Sequence, residues 1–403
     1  MINARKVVIF KGIIDSLDAF AEELSIGFEK EGLDVLMVNV NDLHYFQDKL
    51  FDKINEYVSH KDTFVIFMNS VGMLMDDISG GNYWNKSGVK CFDILADPPF
   101  FYHNAIESDI ENVTFVCVDR EQAEYINRYY GVGSDYNKRT GRLRKSIYMP
   151  LAGVKAQNDD ITPYNDRRYD VIFTGSVRDY EDIDIQIDNL DDTLKTMWQV
   201  VYQYINEDTS LTIERAIRKC MKDYALDITD EYIHQIILLF SRMDSVIRAK
   251  FRQEVIKTVV DSGIKIDVFG DGWDIIKAKW GNPSNLITHN IVSYRESVEL
   301  MNQSKLALNV MPWFKDGFHD RIATAMLNGC VSITDTSGYI KDNYIDRKEI
   351  VIYDLNNLSA LPDIIRQLLK NENHNAERIA MAGIDKAVKL DTWHNRAKWF
   401  LSL

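Results

Sequence analysis

Asp316 to Asp335 run DGFHDRIATAMLNGCVSITD. The Asp316-Gly317 pair opens a turn, and Ile322, Ala325 and Met326 then recur at the spacing of one helix face. Gly329 stands where a helix ends in the left-handed conformation that glycine adopts without strain. An apolar run, Cys330 to Thr334, follows and is closed by Asp335 and Gly338. It reads as a strand buried in a parallel sheet. Loop, short helix, glycine and strand together make part of a crossover unit. His319, Asp320 and Arg321 fall at the helix start, where free backbone N–H groups and the helix dipole favour an anion. The same three residues also fit a solvated turn in an ordinary crossover, so the local pattern leaves both readings open.

Working outward, strands alternate with helices along most of the chain, which predicts parallel sheets with right-handed crossovers. In the first half, strands are expected at Lys6–Phe10, Val35–Val40, Phe64–Met68, Val89–Leu95, Thr114–Val118 and Lys145–Pro150. Helices are expected at Ile13–Glu31, Phe46–Val58 and Gln122–Tyr130. Ligands on such sheets bind beyond the carboxyl ends of the strands. That draws attention to Gly12, Asn41-Asp42, Asn69-Ser70 and the loop Ala96–His103, which carries Asp97, two prolines and His103. A carboxylate and an imidazole at a strand end suit acid–base work. Equally, Asp97 fits a turn cap and His103 a helix start. Residues 135–145 hold Lys138, Arg139, Arg142, Arg144 and Lys145 and read as an irregular, solvated basic loop.

Residues 152–168 are polar and without period, as a linker would be. A second strand–helix series opens with Tyr169–Thr174 and the turn Gly175-Ser176, whose bare backbone allows close approach of a phosphate. A mainly helical insertion follows over about residues 180–260. Beyond it come Lys265–Phe269 with Gly270-Asp271-Gly272-Trp273, then Leu286–His289, a helix at Ser297–Ser304 and the strand Leu306–Val310 closed by Pro312-Trp313. The quoted stretch is next, then a strand at Glu349–Tyr353, a helix at Leu358–Lys370 and a helical end with Trp393 and Trp399.

A chain of 403 residues suits two domains. Its 46% hydrophobic and 27% charged content is that of a globular protein. A net charge of −14 argues against a general nucleic-acid binder. The opening MINARKVVIFKG enters a strand at once, so no secretory leader is expected. No apolar run reaches the roughly 18–20 residues that span a bilayer, and a bacterial-type cytoplasm is the expected compartment. Cys91, Cys117, Cys220 and Cys330 lie far apart and read as buried thiols. The chain holds no P-loop, G-x-S-x-G, HExxH or paired CxxC motif.

The order of motifs is more specific than any one of them. Strand–Gly175-Ser176, strand–Gly270-Asp271-Gly272, His289-Asn290 with Tyr294 and Glu296, strand–Pro312, then Arg321–helix–Gly329–strand resembles the donor domain of GT-B glycosyltransferases. The closest likeness is to the branch related to the spore-maturation protein CgeB, where an arginine shortly precedes a small-residue helix, a glycine and a strand. The Asp97-Pro98 element is similar to one in the N-terminal domain of that branch. The resemblance covers the second half strongly and the first half more weakly. It implies an α/β chain of GT-B type, with two Rossmann-like parallel-sheet domains facing a cleft. The implied division is residues 1–151 on the acceptor side, a linker at 152–168, a nucleotide-sugar domain at 169–385, and a last helix at 386–403 crossing back.

The activity implied is transfer of a sugar from a nucleotide-diphosphate sugar, a UDP-sugar foremost, to a glycan, protein or other acceptor, with neither metal nor cofactor. Gly175, Ser176, Arg178, Gly270, Gly272, Trp273, Asn290, Tyr294, Asp316, Gly317, Phe318, His319 and Arg321 are the implied donor-site residues. Asp97, His103, His319 and Arg321 are the implied catalytic set. One departure is clear. Many retaining members carry two glutamates separated by seven residues, and the matching positions here are Asp316 and Thr324. Stereochemistry is therefore open, as are two other functions of the same fold: a sugar-nucleotide epimerase or hydrolase, and a non-catalytic carbohydrate- or partner-binding protein.

Overall fold

The computed structural model describes residues 4–59, 61–76, 80–157, 160–183, 187 and 190–403. Asn158 and Asp159 of the linker stretch, and Asp184 of the expected helical insertion, lie outside these. The apolar runs form two six-stranded parallel sheets, one in each of two units: Met1–Val154 with Lys389–Leu403, and Lys155–Val388.

In the first unit the strands are β1 (Lys6–Lys11), β2 (Asp34–Asn39), β3 (Thr63–Met68), β4 (Lys90–Leu95), β5 (Val113–Cys117) and β6 (Lys145–Tyr148), in the order β2-β1-β3-β4-β5-β6. All six residues of β3 are buried, as a strand covered on both faces requires. The helices are α1 (Asp15–Lys30), α2 (Val40–Tyr57), α3 (Tyr83–Ser87), α4 (His103–Glu107), α5 (Arg120–Tyr130) and α6 (Asp135–Thr140). α3 has no counterpart among the expected helices, and α2 and α6 also differ from expectation. α2 begins directly after β2, because the Asn39 side chain accepts the Asn41 N–H and caps it. The basic run forms α6, capped by Ser134 and ended by Gly141 at φ 71°. Nor is that run solvated throughout. Arg144 is buried, and its Nε and Nη1 donate to the carbonyls of Ile106 and Ile110, each at 2.6 Å.

In the second unit the strands are β7 (Tyr169–Thr174), β8 (Ile266–Phe269), β9 (Leu286–His289), β10 (Ser304–Leu308), β11 (Val331–Thr334) and β12 (Val351–Ile352), in the order β12-β11-β10-β7-β8-β9. The chain runs from β7 outward to β8 and β9, then returns to the other side of β7 for β10. The strand order therefore reverses at the β7/β10 pair, the place where such sheets open a crevice at their carboxyl edge. Between β7 and β8 stand α7 (Tyr180–Ile183), α8 (Asp192–Glu207), α9 (Ile213–Asp223), α10 (Asp230–Leu239) and α11 (Met243–Asp261). Asp191, Thr212 and Thr229 cap α8, α9 and α10. The remaining helices are α12 (Trp273–Lys279), α13 (Tyr294–Asn302), α14 (Asp320–Leu327), α15 (Gly338–Asn343), α16 (Leu361–Lys370) and α17 (Asn375–Leu390).

Gly329, after α14, has φ 67°, and a Cβ there would lie 2.6 Å from Nη2 of Arg167. That guanidinium comes from the linker stretch and donates to the carbonyls of Thr162, Ser304 and Asn328. The glycine thus meets both a backbone and a packing requirement.

The last helix, α18 (Trp393–Ser402), belongs to the first unit. Trp393 stacks on Phe20 of α1 at 4.9 Å, and Phe400 meets Phe28 at 6.0 Å and Phe92 at 5.3 Å. Among the described residues no helix is long and apolar enough to cross a membrane.

Candidate functional site

At the carboxyl end of β7 the chain turns through Gly175 (φ 152°) and Ser176. The neighbouring β8 loop locks this turn. Gly175 N–H donates to Phe269 O at 2.8 Å, Val177 N–H to Asp271 O at 2.9 Å, and Asp271 N–H to Ser176 Oγ at 3.1 Å. A Cβ on Gly270 would come within 2.5–2.7 Å of the Gly175–Ser176 backbone, and one on Gly272 within 2.0 Å of Val177 O. Both glycines are there so that two backbones can touch. Trp273 is buried, and its indole N–H donates to Gly175 O at 2.8 Å. It acts as the wall behind the turn.

Two guanidinium groups, those of Arg321 and Arg252, reach this turn, and the charge of Arg248 acts on both. Arg321, at the start of α14, places Nη1 3.7 Å from where a Gly175 Cβ would stand, and its Nη1 is buried with no hydrogen-bond partner among the described residues. Arg252 of α11 donates from Nη1 to Ser176 O at 2.8 Å, while its Nε is likewise buried and unpartnered among them. Arg248, one helical turn earlier, lies 4.1 Å above the Trp313 ring and 2.5 Å from Asp244 Oδ2. Arg252 also faces Trp313, at 5.2 Å. Burial first, and then the charges of Arg321 and Arg248, hold the Arg252 guanidinium well below its ordinary pKa. Burial likewise lowers Arg321, with Asp320 and Tyr294 opposing. Buried cations crowded at a bare turn on the switch-point strands form a receptor for a polyanion.

His319 caps α14. Its Nε2 lies 3.1 Å from Arg321 Nη2, which can only donate. Its Nδ1 accepts the Arg321 backbone N–H at 3.2 Å, the bond that caps the helix, and lies 2.8 Å from Asp320 Oδ1. Burial, together with the Arg321 charge, lowers His319 to about 4, so the ring is neutral near pH 7. Burial would raise Asp320, but His319, Arg321 and the Tyr294 hydroxyl, 3.0 Å from its Oδ2, hold it below the usual carboxylate range. Thr324, at the second matching acidic position, is buried with its hydroxyl 3.3 Å from the Tyr294 oxygen. Tyr294 and Thr324 thus orient Asp320 and through it the His319–Arg321 pair.

The loop before His319 is anchored from behind. Phe318 is fully buried and stacks on Tyr344 at 5.7 Å. Gly317 O accepts the Ser337 hydroxyl at 2.6 Å, and Asp316 Oδ1 lies where a Gly338 Cβ would be, at 2.3 Å. Arg178 and Asn290 are exposed, beyond the ends of β7 and β9. The His289 ring stacks on Phe269 at 4.2 Å and bonds Asp267 at 2.8 Å. In the first unit, Asp97 Oδ2 lies 3.5 Å from both Asn69 Nδ2 and the Tyr102 hydroxyl. His103 starts α4, with Nδ1 2.7 Å from the Tyr130 hydroxyl and Nε2 3.9 Å from Glu107.

Sequence reasoning passed over Arg248 and Arg252. The available signal was their four-residue spacing in α11, where Val246, Ile247, Phe251, Val255 and Ile256 are all buried. Two arginines sharing a helix face amid apolar neighbours require an anionic counterpart or carbonyls.

A family described as glycosyl transferase-like matches residues 248–402, which include all three arginines. No curated protein has a sequence that matches the chain. Among solved structures, the chain resembles sucrose-phosphate synthase from Thermosynechococcus elongatus, at 8% identity and TM-score 0.53 over 99% of this chain and 98% of that one. It also resembles a glycosyltransferase from Rickettsia africae, at 10% identity and TM-score 0.52 over 99% and 97% of the two chains. A third likeness is to the Anabaena protein HepE in complex with UDP and glucose, at 11% identity and TM-score 0.51 over 99% and 100%. Two parallel Rossmann-like sheets, matched along nearly the whole chain in such structures, give this protein the GT-B fold of glycosyltransferases.

Proposed function

We propose that this chain is a glycosyltransferase that takes a sugar from a nucleotide-diphosphate sugar held on its second unit. The observation that carries this reading is the approach of Arg252 and Arg321 to the Gly175–Ser176 turn, with guanidinium nitrogens of both buried and unpartnered among the described residues. As the glycosidic bond breaks, its electron pair stays on the departing diphosphate. Guanidinium groups and a helix start aimed there bind the transition state more tightly than the ground state. His319 stays neutral and hydrogen-bonded to Arg321, so it orients that cation without adding a second proton. Asp97, at the carboxyl end of β4, is the base we assign to the acceptor hydroxyl if the reaction inverts. The HepE complex contains UDP, which makes uridine the first base to try.

The test is a thermal-shift panel of nucleoside diphosphates and nucleotide sugars, with and without EDTA. A ligand that binds only the folded state raises its melting temperature by mass action. The expected result is a shift with one base, kept in EDTA because guanidinium groups supply the neutralising charge, and lost in Arg321→Ala. No shift with any nucleotide would remove the proposal. Product analysis without an acceptor then separates transfer from epimerisation or hydrolysis.

A further inference from the structure

Asn69 and Ser70, which follow β3, both adopt left-handed backbone, with φ 49° and 63°. Neither is glycine. A turn needing only a chain reversal would use glycine, as the same loop does at Gly72 (φ 83°). Two consecutive strained side-chain-bearing residues persist only where their surroundings offset the strain, and such positions cluster at working sites. Here Asp93 supplies the offset. It sits inside β4, fully buried, and its two oxygens accept the Ser70 N–H at 2.8 Å and the Ser70 hydroxyl at 2.7 Å. The turn so held sends the Asn69 side chain to the next strand end. There its Oδ1 accepts the Ala96 N–H at 2.8 Å and its Nδ2 lies 3.5 Å from Asp97 Oδ2, the oxygen that the Tyr102 hydroxyl also approaches.

We infer that Asp93 and Ser70 are positioning residues that fix Asn69 against Asp97, and that this strand edge binds a hydroxyl of a neutral, polyhydroxylated acceptor. The inference rests on the transferase reading above and deepens it by naming the acceptor class. An amide, a phenol and a carboxylate side by side pair with sugar hydroxyls, which both donate and accept. A phosphorylated or carboxylated acceptor group would meet the charge of Asp97 instead. Glycine at position 69 keeps the backbone and removes only the amide. Alanine at position 70 leaves one Asp93 oxygen without its hydroxyl donor.

The experiment compares wild type, Asn69→Gly and Ser70→Ala in three readouts. With UDP-glucose as donor and a panel of neutral mono- and disaccharides as acceptors, both variants are expected to lose about tenfold or more in kcat/KM for the acceptor. The thermal shift by UDP should be unchanged in both. A crystal structure of Ser70→Ala should show Asn69 turned away from Asp97. Acceptor kinetics equal to wild type, or an unmoved Asn69, would overturn the positioning claim. Turnover only with anionic acceptors would overturn the acceptor class. If UDP and every other nucleotide fail to bind the wild type, the donor reading falls, and the Ser70→Ala structure still decides the positioning claim.

Discussion

Arg321 gathers the physics of the donor side into one residue. Its buried Nη1 has no hydrogen-bond partner among the described residues, so removing it deprives a bound anion more than it harms the fold. Arg321→Ala is expected to weaken nucleoside diphosphate binding by at least about tenfold, as the loss of one charged hydrogen bond implies. Calorimetric titration checks the affinity, and the ligand-free melting temperature should not fall. Asp335, at the carboxyl end of β11, gives a pH test. Burial raises its carboxyl to about 7, although the Met311 N–H bonds it at 2.9 Å. The folded state therefore binds this proton more tightly than the unfolded chain. Stability from this group is present below about pH 4 and is lost as pH rises towards about 7, on the order of 4 kcal/mol in all. Asp335→Asn keeps the acceptor for Met311 and removes the titration. Urea unfolding should show the variant gaining on wild type in full at pH 8 and by only about a third as much at pH 5.

At the scale of elements, the β7 and β8 turns form a single construction, because Gly270 and Gly272 let one backbone lie on the other. Gly270→Ala would add a Cβ 2.5 Å from Gly175 at a φ of 151°, so it should cost at least about 2 kcal/mol and abolish nucleotide binding. Melting curves with and without UDP measure both. These elements also show what could be read in advance. Tyr169–Thr174 carries its strand signal in the β-branched and aromatic run Val171–Thr174, and the strand occupies Tyr169–Thr174. The start of α2 at Val40 was missed because the Asn39 cap lies at a strand end, where periodicity has not yet begun. Trp273 is among the donor-site residues implied by the resemblance, whereas only the fold shows its indole N–H turned inward on Gly175 O. Asp93 was hidden for a similar reason, since a single carboxylate in an apolar strand does not announce the Ser70 backbone that satisfies it. Side chains that act through long-range partners leave little local pattern, while strand and helix periods are local by nature.

For the whole molecule, the discontinuity of the first unit matters most. Arg396 of α18 donates to the carbonyls of Pro150, Leu151 and Leu390 and pairs with Asp391, so one buried guanidinium ties both segments of that unit together. Arg396→Ala removes the guanidinium that a buried carboxylate and three carbonyls share, a loss on the order of 3–5 kcal/mol. Scanning calorimetry with saturating UDP should show a transition that moves down by several degrees beside a nucleotide-shifted one that does not. A single transition moving as a whole would refute independent melting of the units. The same discontinuity sets a schedule for biosynthesis. While the ribosome is still making residues 155–388, α1 has left the tunnel with Phe20 and Phe28 uncovered, because Trp393 and Phe400 do not yet exist. The nascent first unit must wait for the second to be completed, and a product truncated within the second keeps that apolar seam open to chaperones and proteases.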